Sequence, residues 1–116
     1  MCIRDRVNAA ADRNMGILGV LNSTPAWAVP AGDPAIATPP ASDAQYAQFA
    51  SAVAQRYAGK VSAYEVWNEP NTATFWYPSP DPAAYTKLLQ AAYPLSLIHI
   101  SEPTRLSLVS RMPSSA

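Results

Sequence analysis

Two short apolar runs, each followed by a long loop and then an amphipathic helix, constrain this chain more than any other feature. The first, ILGVLNSTP at 17–25, is nearly continuous in apolar residues before it turns polar and meets a proline. Such a run suits a strand buried on both faces. The second, VSAYEVW at 61–67, has four β-branched or aromatic residues among seven, the composition of a strand. Between them, residues 28–41 hold four prolines and a glycine. That stretch reads as loop, because proline brings no backbone donor to a helix interior or a central strand.

The helices are as clear. Ser42 with Gln45 three residues on forms a capping-box pattern, and Tyr46, Phe49, Ala50, Val53 and Tyr57 then predict one apolar stripe over Ser42–Tyr57. Gly59 is expected to close that helix in a left-handed conformation. Residues 72–82 form a second loop rich in aromatics and proline, and Asp81 at an N-cap with Pro82 behind it opens a helix to Tyr93. Its stripe is Tyr85, Leu88, Leu89 and Ala92. The Ala-rich residues 7–14 read as the end of a helix, with Gly16 at or just after its C-cap. Helix–strand alternation of this kind, with short turns before strands and long loops after them, implies a parallel sheet in an α/β fold. Long loops after the strands are where a (β/α)8 TIM barrel keeps its functional residues, so the expectation is a partial barrel. A doubly wound open sheet is the alternative, although no Gly-rich phosphate loop supports it.

Both ends read as foreign sequence. MCIRDR back-translates as ATG TGT ATA AGA GAC AG, whose reverse complement encodes Leu-Ser-Leu-Ile-His followed by Ile or Met, the residues Leu95 to Ile100. One inverted repeat at both ends is the mark of a transposon-type sequencing adaptor carried into translation. SEPTR continues that adaptor, and SRMPSSA resembles a translated primer site. Residues 1–6 and 95–116 are therefore expected to be adaptor-derived, leaving 7–94 as a segment of a larger protein. The only cysteine, Cys2, and the only histidine, His99, fall in those ends. Without thiol or imidazole, 7–94 cannot build a Cys/His metal cluster, a cysteine nucleophile or a Ser-His relay. Its six acids against four bases include no basic patch, so neither nucleic acid nor an anionic membrane surface is an expected partner. No apolar run approaches the roughly 20 residues of a membrane span.

The polar residues worth attention end the second strand, in YEVWNEPN at 64–71. Alternation through that strand places Glu65, Trp67 and Glu69 on one face and Tyr64, Val66 and Asn68 on the other. Tyr64 and Val66 suit the helix side, which leaves Glu69 at the open end and Glu65 one layer below, the latter as a structural hydrogen-bond acceptor. Asn68 would point sideways unless the strand ends or bulges there, as the following Pro70 allows. A carboxyl beside aromatic rings can have its pKa raised enough to donate a proton near neutral pH. Hydrolysis of a glycosidic bond needs such an acid, with a second carboxylate across the anomeric carbon. Asn68 can bond a sugar hydroxyl in the transition state, and Trp27, Trp67, Trp76 and Tyr77 offer flat faces for pyranose rings. The plain readings stand beside these: a solvated strand-end carboxylate, a turn-forming asparagine, and aromatics packed on their own rim.

A strand ending WNEPN, with TPAWA ending the strand before it, resembles the clan A retaining glycoside hydrolases. The nearest are the family 39 β-xylosidases and α-L-iduronidases and the cellulase-like enzymes of family 5. The resemblance covers essentially all of 7–94 and implies strand 3 to helix 4 of a catalytic TIM barrel. It implies that Glu69 is the general acid/base, that Asn68 binds the sugar 2-hydroxyl and that Trp27 lines the pocket. The nucleophile it implies, a Glu ending strand 7, lies outside this chain. Two strands of eight also leave both sheet edges open, so the chain by itself is expected to be inactive and poorly folded. The substrate implied is a glycoside, oligosaccharide or polysaccharide, with no cofactor or metal and with an extracellular location. Two other classes remain open: a carbohydrate-binding barrel that has lost its nucleophile, and an enzyme of different chemistry on the same barrel.

Overall fold

The computed structural model describes residues 2–98 and 108–109. The chain begins with helix α1 (Ile3–Asp12) and strand β1 (Leu18–Leu21), then a single 3-10 turn at Ala26–Ala28 and helix α2 (Asp43–Arg56). Strand β2 (Ala63–Val66), helix α3 (Pro82–Ile98) and a two-residue strand β3 (Leu108–Val109) complete the order. β1 and β2 run parallel, with Gly19 opposite Tyr64 and Leu21 opposite Val66, and β3 pairs in parallel with the other edge of β2. This is a small α/β arrangement around a parallel sheet, with its core between β1–β2 and the helices.

Local signals explain most element boundaries. The Ser42 hydroxyl accepts the Gln45 N–H at 3.2 Å, and an Asp81 carboxylate oxygen accepts the Ala84 N–H at 3.0 Å. Each satisfies a donor that the first turn of a helix leaves without a partner. Gly59 takes φ +81° in the turn after α2, as its lack of Cβ permits. At the end of α1 the left-handed residue is Asn14 (φ +55°) and not Gly16. The Asn14 N–H donates to the Ala11 carbonyl and the Met15 N–H to that of Ala10, both at 3.0 Å, which is the double bond of a Schellman motif. Helices α1 and α3 extend across positions 6/7 and 94/95. His99 and most of the 95–116 tail lie outside the described residues.

The buried face of α2 matches the expected stripe in part. Tyr46, Ala47, Ala50 and Ala54 are buried, while Phe49 is exposed and Val53 and Tyr57 only half-buried. Helix α3 packs chiefly on α2, presenting Tyr85, Leu88 and Ala92, and small alanines let two helices approach closely. The larger Phe49, Val53 and Tyr57 instead line a groove with Ile3, Val7 and β1. Within β1, Leu18 and Val20 are 48% and 45% exposed. Glu65, opposite Val20 in register, is 1% exposed.

Gly19 has a steric role within β1. A Cβ at that position would lie 3.1 Å from both Cδ1 and Cε1 of Tyr64, a buried ring that bridges β2 to α2. Gly19→Ala is therefore expected to lower unfolding free energy by about 1–2 kcal/mol through overpacking, measured by urea denaturation. An unchanged midpoint would show that Tyr64 yields freely.

Burial pushes the Tyr64 phenol up to about 12, with nearby Tyr57 adding to the effect. Burial holds Tyr46 above its ordinary value as well. The folded state thus keeps protons that unfolded tyrosines, with pKa about 10, release. This contribution is complete below about pH 10 and is lost as the pH rises toward about 12. Denaturant midpoints should hold from pH 8 to 9 and fall steeply above about pH 10, with a shallower fall in Tyr64→Phe. Equal slopes in the two proteins would remove Tyr64 as a cause.

Candidate functional site

The residues with chemical potential gather where β1 and β2 end. The last carbonyl of each strand is held by a tyrosine from the helix that follows it. Tyr46 donates its hydroxyl to the Leu21 carbonyl at 2.7 Å, and Tyr85 donates to that of Val66 at 2.9 Å. The Leu21 carbonyl also takes the Trp67 N–H at 3.1 Å, the final backbone bond between the two strands.

Trp67 then leaves the strand with φ +65°. The expected alternation therefore stops at Val66, and Trp67 does not share the Glu65 face. Its indole turns into the helix layer, where it is 0% exposed. It lies 6.3 Å from the Tyr46 ring and 5.8 Å, edge to face, from Trp76, and its indole N–H donates to the Phe75 carbonyl. Trp76 is buried in turn, 5.9 Å and edge to face from Tyr85. Both tryptophans are packing residues here and present no open face to a ligand.

Asn68 and Glu69 follow directly after Trp67. Asn68 is half-buried and its backbone N–H donates to Oδ1 of Asn22 at 3.2 Å. Glu69 is exposed, with φ +43°. Its carbonyl accepts the N–H and the hydroxyl of Thr72, each at 3.1 Å, so Glu69, Pro70, Asn71 and Thr72 form a tight turn with Pro at its second position. Pro70 is fully buried and anchors that turn.

Four non-glycine residues have positive φ among those described, and Ser23, Trp67 and Glu69 are three of them. All three sit at the ends of adjacent parallel strands. A left-handed conformation costs a side-chain-bearing residue about 1–3 kcal/mol, and such residues cluster at functional sites. The sequence signal passed over was the polar Asn-Ser pair directly after β1, level with the Trp-Asn pair after β2.

The loops after the two strands support each other. Thr24 donates its hydroxyl to the Thr38 carbonyl at 2.7 Å, Thr38 donates to that of Pro34 at 2.8 Å, and the Tyr77 N–H reaches the Ala37 carbonyl at 2.9 Å. Trp27 stands on the 3-10 turn, 87% exposed. It lines a groove of about 290 Å³ with Pro25, Pro40, Gln45, Tyr46 and Phe49, of which neither Asn68 nor Glu69 is part. The structure thus brings Asn68 and Glu69 together with Asn22 and Ser23, and places Trp27 in a separate aromatic groove on the same loop system.

No group of three or more His, Cys, Asp or Glu side chains among the described residues could hold a metal ion. No helix there is long and apolar enough to cross a membrane. No protein-family model matches the chain, and no curated protein does either.

The aromatic residues divide by a stability test. Trp76→Ala should cost about 3–5 kcal/mol, as for a large buried side chain, whereas Trp27→Ala should stay within about 0.5 kcal/mol, as for an exposed one. Similar losses from chemical denaturation of the two variants would contradict this division.

Proposed function

We propose that this chain carries the acid/base half of a glycoside hydrolase site, built on part of a (β/α)8 barrel and working by a retaining double displacement. The observation that carries the reading is Glu69, an exposed carboxylate following β2, next to Asn68 and on a turn tied down by Thr72 and Pro70. The resemblance of the strand-end sequence WNEPN to the clan A enzymes supports the same assignment of roles, and the parallel β1–β2 pair is compatible with that barrel.

In this mechanism Glu69 first protonates the departing glycosidic oxygen, while a carboxylate from another part of the enzyme attacks the anomeric carbon. Glu69, now ionised, then removes a proton from the water that hydrolyses the glycosyl intermediate. Asn68 holds a sugar hydroxyl beside the scissile bond, where a bond that strengthens in the transition state lowers the barrier. Trp27 offers its exposed ring to a sugar further along an oligosaccharide or polysaccharide. Trp67 and Trp76 serve as the packed support of the strand end.

The test uses leaving groups of different basicity in the whole enzyme. Glu69→Ala should slow hydrolysis of an alkyl glycoside by about 10²–10⁴-fold, the usual contribution of general acid catalysis. A dinitrophenyl glycoside departs without protonation, so glycosylation by the same variant should be nearly unchanged. An equal loss on both substrates would remove Glu69 from the acid role. Binding without any turnover in the unsubstituted protein would favour a carbohydrate-binding barrel instead.

A further inference from the structure

We infer that Asn22 is a positioning residue, whose side chain continues the β1–β2 pairing beyond the strands and fixes the direction in which Asn68 and Glu69 emerge. Backbone pairing ends where Trp67 N–H meets the Leu21 carbonyl. One residue further, the Asn68 N–H finds the Oδ1 of Asn22 at 3.2 Å in place of a backbone carbonyl. Asn68 lies between two residues of positive φ, Trp67 at +65° and Glu69 at +43°. Local preference does not favour either conformation, so the segment depends on bonds from outside it.

The orientation of the carboxamide follows from the donors around it. Asn22 Nδ2 donates to Ser23 Oγ at 3.1 Å, and Ser23 Oγ donates onward to the Ile36 carbonyl at 3.3 Å. A flipped amide would set Nδ2 against the Asn68 N–H, two donors facing each other, so only one orientation completes the relay. The relay joins the end of β2 to the end of β1 and to the middle of the loop after β1. Ser23 itself is held at φ +74°. The catalytic consequence rests on the glycosidase reading; the anchoring of Asn68 does not.

Two substitutions separate the roles. Asn22→Ala removes the acceptor, whereas Asn22→Asp keeps an oxygen facing Asn68 and gives up the Nδ2 donor to Ser23. Residue-resolved amide hydrogen exchange on this chain should show the Asn68 amide about five- to tenfold faster in Asn22→Ala, the worth of one hydrogen bond, with Val66 and Leu88 unchanged. Asn22→Asp should keep Asn68 close to the unsubstituted rate. In the whole enzyme, Asn22→Ala should lower kcat by about 10²-fold, the effect of misplacing a catalytic group by about 1 Å. KM should change far less, and Asn22→Asp should recover most of the loss.

Unchanged Asn68 exchange in Asn22→Ala would overturn the inference, as would equal acceleration in both variants or a uniform acceleration of core amides with Asn68. Should Asn22→Ala fail to fold, the unsubstituted chain decides: an Asn68 amide exchanging as fast as exposed Asn71 overturns it, and a protected one upholds it. The exchange result obtained with no hydrolysis by the unsubstituted enzyme would uphold the anchoring and refute the glycosidase reading.

Discussion

The structure depends on a column of aromatic rings that links the two helices following the strands. Tyr46 of α2, Trp67 after β2, Trp76 in the next loop and Tyr85 of α3 stand in sequence at centroid separations of 6.3, 5.8 and 5.9 Å. The last two contacts are edge to face, an arrangement that contributes about 0.5–1.5 kcal/mol each beyond the area buried. The two outer rings also place their hydroxyls on the last strand carbonyls. A buried tyrosine hydroxyl needs a partner, and a carbonyl oxygen has two lone pairs. The strand-end carbonyl can therefore take the hydroxyl even where, as at Leu21, it also accepts a backbone N–H. The device appears twice, with each tyrosine four residues after its helix N-cap.

That column explains why the polar residues lie where they do. With Trp67 drawn into the helix layer, the extended run ends, and the half-buried Asn68 and the exposed Glu69 follow it. The strain of two left-handed residues is offset by the burial of the indole and by the bonds of Asn22 and Thr72. An exposed carboxylate at that position is thus the product of packing behind it. Functional chemistry at strand ends commonly has this arrangement, a rigid apolar support beneath a short polar turn.

The sequence made the caps and the α3 stripe legible because those patterns are local. Ser42 with Gln45 and Asp81 with Pro82 need only a few residues to define a helix start, and Tyr85, Leu88 and Ala92 lie on the face that the structure buries. Strand–helix alternation likewise gave the parallel pair. The α2 face was legible in part: Tyr46 and Ala50 are buried and Val53 and Tyr57 pack against the core, whereas Phe49 is exposed and α3 takes the alanine side. Trp67 was misplaced because alternation assumes extended backbone, and nothing local announces φ +65° in a tryptophan. Asn14 replaced Gly16 for a related reason: the Schellman bonds to Ala10 and Ala11 fix the left-handed residue by register with the helix. Asn22 escaped notice because its importance lies in a bond across 46 positions of sequence.

The pinning of the loops at both ends also bears on how a site here could change without loss of fold. The loop after β1 is held at its start by the Leu21–Tyr46 bond and closed on itself by Thr24 and Thr38; the loop after β2 is held by Val66–Tyr85 and by the indole of Trp67 on Phe75. The Tyr77–Ala37 bond joins the two loops. Exposed residues between these anchors, such as Trp27, lie outside the ring column and can vary at little cost to the core, whereas the buried Trp76 belongs to it. Glu69 has no such freedom, because its neighbours Trp67, Asn68 and Pro70 are each tied to a different part of the support. On the proposed glycosidase reading, substrate preference would change through the Trp27 groove, while the position of the carboxylate stays set by the aromatic column and the Asn22 bridge.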